Sequence, residues 1–201
     1  MHGIRRGHGD AVIDAFNHLS VLLSIILGLA ITQILLGLRA LIHARDRVHG
    51  GAPTLIWCIA LLLMYAQGWW SLFGLRDHAE WTFAEFAVIL AQVTLQYLLA
   101  AIVLPEVPAH DAVDLRRHYA AQQRWFFGLA IAMTATSLLK DVVFEGRLPD
   151  GANLAFHLGF IVACAIAGSV RSARYALFNA IVVAIVLGAY IFALFARLGM
   201  P

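Results

Sequence analysis

Leu19 to Leu38 reads LSVLLSIILGLAITQILLGL, twenty residues without a charged side chain. At ~1.5 Å per residue such a run is ~30 Å long as a helix, the thickness of a bilayer's hydrocarbon core. In hydrocarbon every backbone N–H and C=O must be satisfied within the segment, so an isolated apolar run of this length is a helix. The run extends from about Asn17 to Ile42 and is the first of six alike. The others are Thr54–Leu75, Thr82–Leu104, Trp125–Phe144, Asn153–Val170 and Tyr175–Ala196.

Six spans of ~20 residues use about 120 positions. The 201-residue chain then has room only for short loops, so one domain is expected. It comprises a polar tail over 1–12, the six-helix bundle, and a longer connection over 105–124. Composition agrees: 62% of residues are hydrophobic and 13% charged. A soluble domain carries ~25% charged residues, and a disordered chain is less apolar still. The fold class is therefore all-α and polytopic.

Local signals punctuate the spans. Pro53 suits a first helical turn, Pro105 and Pro108 stop the third span, and Pro149-Asp150-Gly151 is turn chemistry. Trp69, Trp70, Trp81, Trp125, Tyr175 and Tyr190 collect near span ends, as in an interfacial belt. The opening MHGIRRGHGD is followed by too long an apolar run for a cleaved leader, so a retained tail is expected. Asp111 is the expected N-cap of a helix running into span four.

Six spans put both termini on one side. Arg39, Arg45, Arg47, Arg116, Arg117, Arg124, Arg171 and Arg174 lie on the other side, eight against six (Arg5, Arg6, Arg76, Lys140, Arg147, Arg197). The positive-inside rule then predicts cytoplasmic loops at the eight arginines and periplasmic termini. Arg116, Arg117 and Arg124 are candidates for anionic headgroups. A net charge of +2 gives no broad basic field for nucleic acid. Cys58 and Cys164 lie in apolar runs and form no CxxC or metal spacing, so they are expected as buried thiols.

Stripes of small residues recur at four-residue spacing: Ser20, Ser24, Gly28, Thr32; Gly128, Ala132, Thr136; Gly159, Ala163, Ala167; Ala176, Ala180, Ala184, Gly188. They predict close helix crossings, with spans five and six as a tight hairpin. Gly28-Leu29-Ala30-Ile31 recurs as Gly128-Leu129-Ala130-Ile131, the trace expected of a 3+3 inverted repeat.

Polar residues inside spans are costly, so each is a lead. Tyr65, Gln92, Gln96 and Thr134 fall near mid-depth and Gln33 somewhat nearer the cytoplasm; all five are candidates for a solute path. Asp14, His18, Glu85, Lys140, Asp141 and His157 lie toward the outer side. Together they are candidates for an acid–histidine cluster linked to protons. Lys140 is expected to pair with Asp14 or Glu85. No P-loop, GxSxG, HExxH or dinucleotide fingerprint occurs, and no cofactor or metal is called for.

Three classes fit these residues. The first is a small transporter or channel for a small solute or ion, proton-linked through the outer cluster. The second is a non-catalytic membrane partner, such as a sensor, assembly factor or structural subunit, in contact with another protein or a second copy. The third is an oxidoreductase with a haem between His18 and His157. The first two are not enzymes.

The runs SIILGLAITQILLGL, WTFAEF, YLLAAIVLP and RRHYAAQQRWFFGL, with Trp57 and Trp69-Trp70, resemble a group of small, uncharacterised bacterial multi-pass membrane proteins. The resemblance covers roughly the first two thirds of the chain. It implies a bacterial inner membrane, and no activity, ligand or catalytic residue.

Overall fold

The computed structural model describes the backbone over residues 4–195 except 77, 79, 80 and 109. Side chains are described over 16–192, without those positions and 73. Six α-helices account for most of the described residues: α1 Ile4–His43, α2 Ala52–Leu72, α3 Phe83–Val103, α4 Leu115–Glu145, α5 Gly151–Ser169 and α6 Ala173–Phe195. Each contains a stretch long and apolar enough to cross a membrane. The expected polar tail is itself helical from Ile4, continuous with the first span.

The helix ends follow side-chain chemistry. Thr82 caps α3 in a reciprocal capping box with Glu85. Asp114, not Asp111, caps α4 by accepting from the Arg116 and Arg117 N–H groups. Asp111 instead offers its backbone carbonyl to Arg47, 2.8 Å away. The stretch before Trp125 is no separate interfacial helix, since α4 runs unbroken for 31 residues. Gly146 ends it in the left-handed conformation (φ 69°). Two-residue strands β1 (Val48–His49) and β2 (Val113–Asp114) pair in parallel and tie the linker before α2 to the one before α4.

Lipid tails are as apolar as leucine, so dispersion and close fit hold such helices together. α1 and α4 both pack along α3, α5 packs along α4, and α6 packs along α2. α5 and α6 touch only lightly, so the expected tight hairpin is not formed. The pairing of α1 with α3 has no comparable counterpart between α4 and α6, so the two halves pack differently. Leu27, Ala30, Ile34, Trp57, Leu61, Tyr65, Leu99 and Phe127 are buried at the centre. Trp57 meets Phe126, Phe127 and Phe160 edge-on, with centroids 5.1, 5.5 and 6.5 Å away. The outside is greasy: Phe192 is 79% exposed, Ile185 67% and Val21 60%. An apolar shell this extensive needs lipid around it.

Part of the small-residue stripes faces that shell, Gly28, Thr32, Gly128 and Gly159 being exposed. A Cβ placed on Gly28, Gly128 or Gly159 would meet nothing within 4 Å. Only Ala167, Ala176 and Ala180 among the stripe residues are buried. The buried face of α1 is instead Leu23, Leu27, Ala30 and Ile34.

Candidate functional site: a polar cavity from one end to mid-depth

Between the C-terminal halves of α2, α4 and α6 and the N-terminal halves of α3 and α5 lies a cavity of about 200 Å³. Its lining runs on α4 from Asp141 down to Thr134 and on α3 from Ile89 to Gln96. Seven residues of helix make ~10 Å of depth along either wall. Beneath it, Phe160 joins the Trp57–Phe126–Phe127 cluster and closes the interior.

At the mouth the Lys140 ammonium lies 3.5 Å from the Asp141 carboxylate. Lys140 thus pairs with its neighbour in sequence and not with Glu85, whose oxygens are taken by His78 and Thr82. The two charges cancel, and their side chains are partly exposed. One turn deeper is a chain of hydrogen bonds across three helices. His157 Nδ1 lies 2.8 Å from the Asn153 carbonyl, which only accepts, so Nδ1 carries the proton and donates. In the neutral ring Nε2 is then an acceptor, and Ser137 Oγ donates to it across 3.2 Å. Tyr190 donates its hydroxyl to Asn153 Oδ1 at 2.8 Å. Its ring stacks on Phe156 with centroids 3.9 Å apart, which fixes the wall between α5 and α6.

At mid-depth the lining becomes amide and hydroxyl. Thr134 returns its hydroxyl to the Ala130 carbonyl at 2.9 Å. Gln92 Oε1 is buried with no hydrogen-bond partner among the described residues. The Gln96 side chain is 5% exposed, and its amide meets α2 at Gly68, where a Cβ would stand 3.1 Å from Nε2. Gly68 therefore keeps space in front of this amide that a larger residue would occupy.

Gln92, Gln96, Thr134, Lys140, Asp141 and His157 thus line one space. Four other candidates with described side chains do not. Gln33 is exposed on the outer face of α1. Tyr65 is wholly buried and donates its hydroxyl to the Gln96 carbonyl, which makes it a tie between α2 and α3. Glu85 is spent in the α3 cap and on His78, 3.0 Å away. His18 is exposed on α1 and lines no part of the cavity. The side chain of Asp14 lies outside the described residues. The haem pairing of His18 with His157 is not assembled, because both His157 nitrogens are engaged by Asn153 and Ser137.

Ser137, Asn153, Gln67, Ser71 and Tyr190 join the site without having been singled out. Asn153 precedes His157 by four residues and Ser137 precedes Lys140 by three, the spacings of one helix face. That signal was present in the chain. Tyr190 gave none, being indistinguishable from an interfacial aromatic.

Fold and site together define a multi-pass membrane protein of six spans with a polar cavity inside its bundle. No family model, curated protein or solved structure matches the chain.

Proposed function

We propose that the protein is a small transporter or channel that takes a small polar solute into the cavity from the side of its termini. The supporting observation is that polar side chains from Lys140–Asp141 through Ser137 and His157 to Gln92 and Gln96 share one cavity, set among apolar residues such as Ile89 and Met133 and closed below by aromatic side chains. This is one half of an alternating-access route, with the solute held near the midplane. The lining selects by hydrogen bonding, because its only full charges, on Lys140 and Asp141, neutralise each other. The solute class is small, uncharged or zwitterionic, and rich in donors and acceptors.

His157 supplies the proton link. On taking a proton at Nε2 it becomes a donor, and Ser137 Oγ switches from donating to accepting. The ring keeps its place while one charge is added beside Asp141, Lys140 and Tyr190. The charge distribution in the arginine-bearing loops orients the cavity toward the periplasm of a bacterial inner membrane.

Proteoliposomes of the full chain test this by stopped-flow light scattering with urea, glycerol or glycine, and by pyranine fluorescence after an acid pulse. The reading predicts permeability to at least one of these solutes above that of protein-free vesicles. It predicts loss of that permeability in Gln96→Leu and altered pH dependence in His157→Gln. Vesicles indistinguishable from protein-free ones in every arm contradict it.

A second reading has its own observation. Gly28, Gly128 and Gly159 present open, small-residue faces to lipid. Such faces suit close packing against another membrane helix. Under this reading the protein is a partner subunit, and single-molecule bleaching in nanodiscs would find more than one copy or a co-purifying chain.

A further inference from the structure

At the opposite end of the bundle, the first turns of α2, α4 and α6 and the α5–α6 turn enclose a groove of about 650 Å³. That size is in the range of small-ligand sites. Three arginines line it: Arg116 from α4, Arg171 from the α5–α6 turn and Arg174 from the first turn of α6. No Asp or Glu lines it, and none of the three arginines is ion-paired among the described residues. The nearest acid in sequence, Asp114, is committed to capping α4. Three unpaired like charges around one hollow repel one another unless an anion sits between them.

The groove is built, not incidental. Gly50 has φ +72°, and a Cβ there would fall 2.7 Å from Arg116 Cγ and 2.9 Å from Nε. Glycine at 50 therefore lets the Arg116 side chain lie across the turn. The positive dipole ends of α2 and α6 point to the same end of the bundle and add to the same field. The wall is not polar throughout. Leu55 and Leu177, 39% and 37% exposed, continue the groove onto the lipid-facing surface. Cationic groups above an apolar flank, at the ends of spanning helices and ten residues (~15 Å) along α4 from Phe126, match the level and chemistry of a phospholipid headgroup.

We propose that this groove binds one anionic phospholipid, its phosphate among Arg116, Arg171 and Arg174 and its upper acyl carbons against Leu55 and Leu177. The assignment separates Arg116 from Arg117 and Arg124, which are exposed on α4 but do not line the groove. It does not depend on the solute cavity, and either can fail alone.

Native mass spectrometry of the full chain, released from nanodiscs of phosphatidylcholine with one fifth phosphatidylglycerol, tests it. The wild type should retain one phosphatidylglycerol in preference to phosphatidylcholine. Each arginine near a membrane surface contributes about a fivefold change in affinity, so Arg116→Gln/Arg171→Gln/Arg174→Gln should lose roughly a hundredfold. Arg117→Gln/Arg124→Gln should keep the retained lipid. Arg171→Gln alone, in an exposed turn, should lose about fivefold and guards against misfolding of the triple variant. Equal retention of both lipids, unchanged retention in the triple and Arg171→Gln variants, or displacement by inorganic phosphate at matched concentration would each overturn the proposal. The last outcome would mark a site for a soluble anion instead.

Discussion

Replacing Gln123 with leucine should unseat α5, the helix that carries Asn153 and His157 into the cavity. Gln123 is 5% exposed on α4, and its side-chain amide donates to the carbonyls of Ala167 and Val170. Those carbonyls belong to the end of α5, where no following helical N–H reaches them. The glutamine is thus a C-cap supplied by another helix. Interhelical hydrogen bonds in membrane proteins contribute ~0.6 kcal/mol on average and ~1.7 at most. Two of them, together with two carbonyls left buried, put the cost at about 2–3 kcal/mol. That is a roughly 30- to 150-fold shift in the unfolding equilibrium. Titration with SDS in mixed micelles, followed by tryptophan fluorescence, measures it. Gln122→Leu is the control, because Gln122 has no hydrogen bond among the described residues. The cap argument is refuted if Gln123→Leu costs under ~0.5 kcal/mol, the scatter of a neutral substitution, or no more than the control.

Three further outcomes are expected. Tyr65→Phe removes the hydroxyl that ties α2 to the Gln96 carbonyl, and should lower stability by ~1 kcal/mol in the same titration while leaving the cavity polar; a larger loss of solute flux than of stability would mean that Tyr65 belongs to the path. Gly51→Ala should be among the most damaging single changes, because φ is +104° there and a Cβ would collide with the Leu115 side chain; thermal unfolding should show at least ~2 kcal/mol lost. Cys58 and Cys164 are each 0% exposed, so maleimide labelling of the folded protein should be negligible and appear only after SDS.

The six spans were legible because a bilayer demands continuous apolar length, and that demand is written residue by residue in runs such as Leu19–Leu38. Depth was legible for the same reason: Gln92, Gln96 and Thr134 fall at mid-helix by counting alone. Facing was not. Gln33 and Gln96 lie at similar apolar depths, yet one faces lipid and the other the cavity. In a helix apolar all round, periodicity carries no mark of the inner face. The same ambiguity misassigned part of the stripes: Gly28 sits between the buried Leu27 and Ala30 but points outward, whereas Ala176 and Ala180 are buried. Glu85 was read as part of the outer acid–histidine cluster because sequence distance gives no sign that Thr82 and His78 would claim both of its oxygens. The arginine groove was hidden because Arg116 and Arg171 are brought together by the packing of separate helices.

Solvent access to the cavity tests the central claim most directly. Because the native thiols are buried, single substitutions Ser137→Cys, Gln92→Cys and Thr32→Cys can be probed with a membrane-impermeant thiosulfonate in sealed vesicles of known orientation. The account predicts that the first two react from the side of the termini and that Thr32→Cys, on the lipid face of α1, does not. Protection of Ser137→Cys and Gln92→Cys from both sides would contradict it.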